Sequence, residues 1–459
     1  MHAKRYDFAI VGAGIAGLAT AELLTRSGYT VALIEKNERV CQEASGEHHG
    51  WFHFGSLYSI FRSNQFMRTL VGGIDDLLAY YAHFPRMNLR IGEEGRLCVE
   101  QIVDGWIRDE PIEYIVAARN DPDFDLARFD GLKRYTEKCF FLLTWEMAIK
   151  QFIARHQRFH RFDWRSGPAS AWVPRAGWRD YSRQVISKPE LADIDLDPDT
   201  HFRIAGFDRP MNAPIIVADL LQTYLSQGGK LLTNTAYMGH ARRGNAIEVN
   251  TAGGIIRCER LLLACGRFFK DWMPEQRVKV VASPILVTYP AVCDRNFVRL
   301  TPFMDRTINH IIHSIDGVKY SVIGGGYYAD PEDDDAVAAA KNALESMAQA
   351  VFPRLQSAAL REIYVGYKTE LISEAGERNY QYHIGPLDEN VWALIPGKFS
   401  LGFSLAVNCC KRILGQDPTH KGNMIVRDDY DVSRYVGPMY HGELVVSHLR
   451  AASRVAHGA

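Results

Sequence analysis

The pattern of hydrophobic and polar positions at the start of the chain predicts a strand, a helix and a second strand. Residues 8–11 form an apolar run with the length and β-branched character of a buried parallel strand. A helix-forming run then extends through Arg26 and stops at Gly28, and residues 30–34 give a second apolar strand. Two such strands joined by a helix are typical of a βαβ unit.

Three glycines between the first strand and the helix indicate what this unit binds. Gly12 allows a tight turn off the strand, Gly14 lets the backbone approach a pyrophosphate, and Gly17 lets the helix pack closely on the strand. The unpaired amides at the helix N-terminus favour phosphate groups. Glu35 ends the second strand, where a carboxylate accepts hydrogen bonds from a ribose 2′-OH and repels a 2′-phosphate. The stretch therefore predicts a dinucleotide site, with NADP disfavoured.

The rest of the chain alternates between helical and strand periodicity. Helices are predicted at residues 66–84 (with a break expected at Gly72-Gly73), 135–156, 213–227, 403–414 and at the end of the polar tail 418–459, with a helical stretch also within 330–352. Strands are predicted at residues 89–91, 96–99, 230–232, 246–249, 255–258, 260–266, 278–287, 309–314, 319–323 and 390–395. Residues 233–239 are predicted to form a loop, and residues 161–200 an irregular cover on the substrate side.

Composition and charge exclude several classes of protein. The 459 residues are 47% hydrophobic and 23% charged, as in an ordinary globular protein, and are expected to form two or three folding units. The net charge of −1 gives no reason to expect a nucleic-acid partner, and no apolar run approaches the roughly 18 residues of a membrane span. The eight cysteines form no CxxC pair, so we expect reduced thiols and a cytoplasmic location.

A polar loop rich in histidine and glycine follows the second strand, and it carries a family resemblance. Its sequence, SGEHHGWFHFGSLY, begins at Ser45, and it contains Gly46, Gly50, His53 and Gly55. The loop resembles the TGxNSGVIHxGxY motif of L-2-hydroxyglutarate oxidases within the FAD-dependent D-amino-acid oxidase superfamily, which also includes glycine-oxidase-like enzymes. The histidine pair HH replaces the usual Asn-Ser, and Trp-Phe replaces smaller aliphatic residues. The histidines lack the spacing of a metal site, so no metal is expected.

The resemblance implies an α/β fold of the glutathione-reductase-like flavoprotein type. In this fold a Rossmann-like FAD-binding domain carries an inserted antiparallel-sheet substrate domain. We assign residues 1–85, 206–275 and 386–417 to the FAD-binding domain, 86–205 and 276–385 to the substrate domain, and 418–459 to a C-terminal extension.

The resemblance also implies which residues contact FAD. The expected contacts are Gly12, Ala13, Gly14, Ile15, Ala16, Gly17, Glu35, Lys36, Ser45, Gly46, Glu47, His48, His49, Gly50, Tyr237, Ala264, Cys265, Gly266, Gly397, Lys398, Ser400, Gly402 and Phe403. The flavin is expected to be bound non-covalently. An acid-stable link to His48 or His49 is the alternative.

Catalytic and substrate-binding residues are predicted from their chemistry and position. His53 is the candidate base, because an unperturbed histidine pKa of roughly 6.5 suits proton transfer at neutral pH. Lys398 is expected to stabilise negative charge on the reduced flavin. The candidate substrate contacts are Arg62, His310, His313, Tyr320, Tyr328 and Arg378. In a regular strand His310 and His313 cannot both point inward.

The resulting functional hypothesis is an FAD-dependent oxidase or dehydrogenase that transfers hydride to flavin N5. The substrate is expected to be a small amino acid, amine or 2-hydroxy acid, and O2 or another acceptor reoxidises the flavin. Three alternatives stay open: a flavin monooxygenase using NAD(P)H, a nicotinamide dehydrogenase, and a non-catalytic flavin-binding subunit. The sequence predicts neither the specific substrate nor the oligomeric state.

Overall fold

The computed structural model describes residues 5–60, 65–92, 95–117, 147–148, 150, 155, 186–271, 278–301, 306–372, 378–418 and 430–457. In chain order its strands are β1 (Arg5–Val11), β2 (Val31–Ile34), β3 (Trp51–Phe52), β4 (Leu89–Ile91), β5 (Leu97–Val99), β6 (Ile112–Ala117), β7 (Ile186–Ser187), β8 (His201–Ala205), β9 (Arg209–Pro210), β10 (Lys230–Leu232), β11 (Tyr237–Arg243), β12 (Ala246–Thr251), β13 (Gly254–Leu263), β14 (Val278–Tyr289), β15 (Asn296–Leu300), β16 (Ile308–Ile315), β17 (Val318–Gly325), β18 (Leu360–Ile372), β19 (Arg378–Asn379), β20 (His383–Asp388) and β21 (Val391–Ile395). Its α-helices are α1 (Ile15–Arg26), α2 (Gln65–Tyr81), α3 (Ala213–Ser226), α4 (Asp334–Val351), α5 (Gly402–Leu414) and α6 (Tyr440–His457). Short 3₁₀ turns lie at Leu57–Ile60, Gly266–Asp271, Pro353–Ser357 and Phe399–Leu401.

The strands predicted at the start of the chain belong to one sheet, which we call the nucleotide sheet. Its hydrogen-bonded order is β10-β2-β1-β13-β12-β11, with β21 also paired to β13 and β20 to β21. The β10, β2, β1, β13 and β21 strands are parallel neighbours. Val11 pairs with Ile34 on one side and with Leu263 on the other. The residues that follow these three strands therefore meet at the same edge of the sheet, where open α/β sheets bind their ligands.

The bounds of strands β11 and β13 differ from the sequence prediction. Residues 255–258 and 260–266 were expected to be two strands, but β13 is continuous through Leu263. Its first half pairs antiparallel with β12 and its second half parallel with β1, so one long strand serves both partners. The predicted loop at residues 233–239 is wrong at its end, because Tyr237 already begins β11 and pairs with Thr251.

Helix α1 packs on the nucleotide sheet and is completely buried. Every residue of α1 is buried, including the ion pair between Glu22 and Arg26, whose Oε1 and Nε atoms are 2.6 Å apart. Helices α3 and α5 lie against α1 and, with α2, complete one large core. The break expected at Gly72-Gly73 does not occur, and α2 runs without interruption from Gln65 to Tyr81.

The remaining long strands form a second sheet, which we call the substrate sheet. Its order is β19-β18-β14-β17-β16-β15-β6-β8-β7, and all neighbours are antiparallel except β15 and β6. Helix α4 covers one face, where Leu344 and Ala348 pack in a cluster with Phe297 and Ile323. The opposite face meets the loop after β2, because the Tyr364 hydroxyl donates to the carbonyl oxygen of Glu47 at 2.9 Å. This second face borders the site described below.

The C-terminal segment joins the two sheets. The Tyr440 amide donates to the carbonyl oxygen of Gly46 at 2.9 Å, and the Tyr320 hydroxyl is 2.8 Å from His441 Nδ1. The helical end predicted for residues 418–459 is thus confirmed as α6. The helix predicted at residues 135–156 and the irregular cover at 161–200 lie largely outside the described residues, and the six assigned domain segments stay predictions. No helix within the described ranges is long and apolar enough to cross a bilayer.

Candidate active site

The glycine turn after β1 has the geometry that the sequence predicts. Gly12 has a φ of +97°, and a Cβ at this position would lie 2.5 Å from the Ala264 carbonyl oxygen. A Cβ on Gly17 would lie 1.9 Å from the Gly12 carbonyl oxygen. Helix α1 therefore starts closer to β1 than any side chain allows. Gly14 is the N-cap residue and provides no side-chain cap, which leaves the helix N-terminus accessible to an anion.

Glu35 links the end of β2 to this turn. Its Oε2 accepts a hydrogen bond from the Ala13 amide at 2.7 Å, and its Oε1 accepts one from the Asn37 amide at 2.9 Å. The side chain is buried, and this burial raises the pKa of the carboxyl group although both hydrogen bonds favour the ionised form. Next to it, the Ile15 amide donates to Ser45 Oγ at 3.0 Å and ties the polar loop to the start of α1.

A cavity of about 440 Å³ extends from this edge of the nucleotide sheet to the substrate sheet. The predicted cofactor residues that line it are Gly12, Gly14, Ile15, Ala16, Glu35, Lys36, Ser45, His48, His49, Tyr237, Ala264, Cys265, Gly266, Gly397 and Lys398. The segments after β1, β2, β13 and β21 thus share one cavity although they are far apart in the chain. That is the arrangement expected for an extended dinucleotide.

Eight residues predicted to contact the cofactor do not line the cavity, and several of them pack against or bind residues that do. They are Ala13, Gly17, Gly46, Glu47, Gly50, Ser400, Gly402 and Phe403. The Ser400 hydroxyl donates to the His53 carbonyl oxygen at 3.3 Å, and a Cβ on Gly402 would lie 2.7 Å from Ile15 Cγ1. Phe403 is fully buried in the helix core. The pKa of Glu47 is raised to about 7, mainly by burial.

Charged and aromatic residues that sequence reasoning missed surround the end of the cavity near Glu35. Glu43 bridges Lys36 at 2.6 Å and Arg267 at 2.9 Å, and these ion pairs lower the pKa of Glu43 against the opposing effect of its burial. Lys36 Nζ lies 3.9 Å from the centre of the Phe268 ring. Arg267 and Phe268 directly follow the predicted contact Gly266, so extending that motif by two residues would have found them.

Two neutral histidines stand in the middle of the cavity wall. Burial is the main cause that lowers the pKa of His48 to about 3 and that of His49 well below the ordinary range. His48 Nδ1 accepts a hydrogen bond from the Gly50 amide at 2.9 Å, so the neutral ring carries its proton on Nε2. Among the described residues neither His48 Nε2 nor His49 Nε2 has a hydrogen-bond partner. His49 Nε2 faces Gly324, where a Cβ would lie 1.9 Å away, which leaves no room for a ligand atom at that nitrogen. Buried polar atoms such as His48 Nε2 are normally satisfied, which indicates that a ligand completes the site there.

The end of the cavity at the substrate sheet contains His53 between aromatic rings. The His53 ring lies 4.5 Å from Trp51 and 5.3 Å from Tyr58, measured between ring centres. Its Nδ1 is 3.8 Å from Oδ2 of the buried Asp208, beyond hydrogen-bond distance. Burial lowers the pKa of His53, and Asp208 opposes that effect. The imidazole is therefore neutral at pH 7 and can accept a proton.

Two lysines line the same end. Lys398 Nζ lies 3.9 Å from Oε1 of the buried Glu370 and 4.9 Å from the centre of the Tyr380 ring. Lys368 was not predicted: its Nζ donates to Ser283 Oγ at 3.1 Å and lies 4.6 Å from the centre of the Tyr328 ring. Within the described ranges no carboxylate forms an ion pair with Lys368. The alternation of charged and uncharged residues from Tyr367 to Leu371 was the available sequence signal.

The predicted substrate contacts are divided between several places. Tyr328 lines the cavity, whereas His313 and Tyr320 do not: they lie behind His49, where His313 Nε2 is 2.8 Å from the His49 carbonyl oxygen. His310 points to the opposite face of the substrate sheet, toward α4, with Nε2 2.7 Å from Ser321 Oγ. The structure thus separates the two histidines as their spacing required. Arg62 and the side chain of Arg378 lie outside the described residues.

Comparison with known proteins establishes the family. The model of the family described as FAD dependent oxidoreductase matches residues 7–413, and the chain belongs to this family. It is therefore an FAD-dependent oxidoreductase with FAD as its cofactor, which removes the nicotinamide and non-catalytic alternatives.

Solved structures share the fold. Glycine oxidase from Geobacillus kaustophilus is 16% identical, with coverage of 94% of this chain and 98% of that chain and a TM-score of 0.57. L-alpha-glycerophosphate oxidase from Mycoplasma pneumoniae, solved with FAD bound, is 13% identical, with coverage of 93% and 99% and a TM-score of 0.60. The amino acid oxidase NikD is 12% identical, with coverage of 95% and 98% and a TM-score of 0.57.

A short stretch also resembles a curated protein. The tRNA 5-methylaminomethyl-2-thiouridine biosynthesis bifunctional protein MnmC of Burkholderia mallei (strain SAVP1) is 49% identical over 49 residues. The match covers 11% of this chain and 8% of the length of that relative.

The residues present fit FAD. The glycine turn has no room for side chains, Glu35 follows the neighbouring strand, and His48 Nε2 is buried without a hydrogen-bond partner among the described residues. The residues around Gly12 and Glu35 would hold the dinucleotide part. His48, His49, Gly397 and Lys398 would then border the ring system that performs the redox chemistry.

Proposed function

We propose that this enzyme oxidises a small carboxylate-bearing amine or 2-hydroxy acid at its α-carbon. The observation that carries the proposal is Lys368, a cation in the cavity wall with no carboxylate partner among the described residues. Bound FAD supplies the hydride acceptor for such a reaction. Tyr328 lies 4.6 Å from Lys368 Nζ, and Trp51 and Tyr58 add aromatic surface to the same cavity, which favours a small organic acid over an inorganic anion.

The electrostatics of the site support an anionic substrate. The charge of Lys368 contributes to lowering the pKa of His48, His49 and His53, so all four groups lie within electrostatic range of one another. A carboxylate bound at Lys368 would place the neighbouring carbon and its hydroxyl or amine near these rings. His53, kept neutral by burial, would accept the proton of that hydroxyl or amine.

The reaction class is tested by anaerobic mixing with panels of 2-hydroxy acids, amino acids and N-alkyl amines. One panel of acids should bleach the visible absorbance of the oxidised flavin. Bleaching by NADPH alone, followed by insertion of oxygen into an aromatic product, would establish the monooxygenase alternative instead.

The role of Lys368 is tested with the active panel. Lys368→Met should raise the half-saturating concentration of the acid at least about tenfold, because a hydrogen bond to a charged group contributes roughly 1.5–3 kcal/mol. The amide of the same substrate should be affected less, and Lys368→Arg should retain most of the preference for the acid. Lys319→Met is the matched control, since Lys319 is an exposed lysine on the same sheet. Equal losses for acid and amide would contradict carboxylate binding at Lys368.

A further inference from the structure

The Asp208 carboxylate supports residues 51–56, the segment that contains the cavity-lining residue His53. The side chain is fully buried and follows β8 in the chain, far from that segment in sequence. Its Oδ1 accepts hydrogen bonds from the Phe54 amide at 2.8 Å and the Ser56 amide at 3.2 Å. Its Oδ2 accepts from Trp51 Nε1 at 3.1 Å and from the Tyr114 hydroxyl at 2.7 Å. One carboxylate therefore fixes both the backbone and an aromatic wall of the site.

The same carboxylate faces the imidazole of His53. Oδ2, the oxygen bound by the indole and the phenol, is 3.8 Å from His53 Nδ1. The His53 and Trp51 rings lie against each other with an interplanar angle of 30°, and both line the cavity. Asp208 itself does not line the cavity. It therefore acts on the cavity through His53 and Trp51.

Asp208 stays ionised in this setting. Burial alone would favour its neutral form, but the neighbouring His53 and the hydrogen bonds from Tyr114 and the Phe54 amide outweigh it and lower the pKa of Asp208. A full negative charge therefore lies next to the candidate base. Neutral hydrogen-bond acceptors would be enough to support the segment. Support alone therefore does not explain why a charged group lies beside His53.

We propose that Asp208 is a positioning residue for His53, which orients the imidazole against Trp51 and stabilises the imidazolium formed when His53 takes up the substrate proton. The inference rests on the proposed function. In this step the O–H or N–H bond of the substrate breaks and an N–H bond forms on the imidazole. The hydride leaves the α-carbon with its electron pair to the FAD of the holoenzyme. Asp208 gains no proton and acts only through its charge and its geometry.

Asp208→Asn removes the charge and keeps part of the support. The asparagine oxygen can still accept hydrogen bonds from the Phe54 and Ser56 amides, whereas its NH2 group cannot accept from Trp51 Nε1 and the Tyr114 hydroxyl. The double variant and the titration of His53 described below therefore decide between charge and support. The rate of anaerobic flavin bleaching at pH 7 should fall at least about tenfold, the equivalent of one pKa unit on the base. Asp219→Asn is the matched control. Asp219 is a buried carboxylate that accepts a hydrogen bond from Trp106 Nε1 at 2.6 Å, and neither residue lines the cavity. This variant should leave the pH profile of bleaching unchanged.

A double variant tests whether Asp208 acts through His53. In a His53→Gln background, Asp208→Asn should slow bleaching by no more than about twofold, because the group through which it acts is absent. An undiminished effect in that background would assign Asp208 to support of the segment alone and overturn the proposal.

The titration of His53 provides a readout that needs no substrate. Hydrogen–deuterium exchange at the imidazole C2 position, followed by mass spectrometry of the holoenzyme, measures the midpoint of each histidine. The His53 midpoint should fall by about one unit or more in Asp208→Asn. An unchanged midpoint would overturn the proposal. If no acid bleaches the wild-type flavin, the proposed function fails while this measurement still decides the inference.

A second variant covers a failure of Asp208→Asn to fold. Tyr114→Phe removes one donor to Oδ2 and keeps the carboxylate. The negative charge then becomes less compensated at the oxygen nearest His53, so the His53 midpoint should rise. An unchanged or lower midpoint in folded Tyr114→Phe would contradict the charge coupling.

Discussion

The Ala13 amide donates a hydrogen bond to Glu35 Oε2 across 2.7 Å, so the acid at the end of β2 holds the glycine turn after β1. A carboxylate oxygen has capacity for more than one hydrogen bond. Glu35 can therefore shape the turn and accept a ribose hydroxyl at the same time. The acid acts on the cofactor both directly and through the backbone.

Glu35→Gln should weaken FAD binding about tenfold. The change removes a charged acceptor, and a hydrogen bond to a charged group contributes roughly 1.5–3 kcal/mol. Glutamine accepts from one of the two neighbouring amides and places its NH2 group against the other, so the apoprotein should also lose some stability. The melting temperature of the holoenzyme should fall further, because FAD also loses its charged acceptor. FAD titration by fluorescence and thermal unfolding of both forms measure these effects. Glu43→Gln, at a half-exposed acid on the same cavity, is the control and should change affinity less than about threefold. Equal destabilisation of apo and holo forms would show that Glu35 is only structural.

The His49 ring packs against Gly324 of the substrate sheet. A Cβ on Gly324 would lie 1.9 Å from His49 Nε2, so Gly324→Ala must displace the ring from the cavity wall. We expect Gly324→Ala to lose about 1–3 kcal/mol of stability and to bind FAD more weakly. His49→Ala should relieve the clash, so the double variant should melt above Gly324→Ala. A double variant less stable than either single variant would refute this coupling.

Gly72→Ala should have the opposite effect on stability. Gly72 lies inside the continuous α2, and within the described part of the chain no atom beyond its own helix lies within 4 Å of the position that a Cβ would take. Alanine in a helix interior is favoured over glycine by roughly 0.5–1 kcal/mol. Denaturant unfolding should show a higher midpoint with an unchanged slope. A lower midpoint for Gly72→Ala would contradict the open space that the structure shows at this position.

Local patterns explain why the nucleotide end of the site could be predicted. The strand, glycine turn and helix from β1 to α1 are specified by neighbouring residues, and the acid follows within one βαβ unit. The spacing of His310 and His313 likewise predicted opposite faces, because side chains alternate along a strand. It could not predict which one points away from the cavity, because that depends on the partners of β16.

The substrate end could not be predicted because its signals are long-range or disguised. Strand β18 was missed because Lys368 and Glu370 occupy inward positions where a core strand would be apolar. Lys368 lines the cavity, and Glu370 is buried with its Oε1 3.9 Å from Lys398 Nζ. Asp208 is more than 150 residues from the amides that it binds, and nothing in its own neighbourhood indicates them.

The structure predicts a loss of stability in mild acid, because several histidines are buried in the neutral form. Burial lowers the pKa of His310 to about 4 and of His441 to about 3, against an ordinary value of 6.5. Below pH 6.5 the unfolded chain takes up protons that the folded chain cannot. Unfolding therefore becomes easier as the pH falls from 6.5 toward 4. Each such histidine contributes about 1.4 kcal/mol per pH unit in this window.

His310→Gln tests this prediction away from the flavin cavity. His310 lies on the α4 side of the substrate sheet, where its ring bonds the Arg295 carbonyl oxygen and Ser321 Oγ, so the change should cost stability at every pH. The slope of unfolding free energy against pH between 4 and 6.5 should nevertheless fall by about 1.4 kcal/mol per unit, because one titrating group is gone. Urea unfolding at a series of pH values measures both quantities. His83→Gln, at an exposed position, should leave the slope as it is. If His310→Gln changed only the intercept, the acid sensitivity would have to come from other groups than the buried histidines.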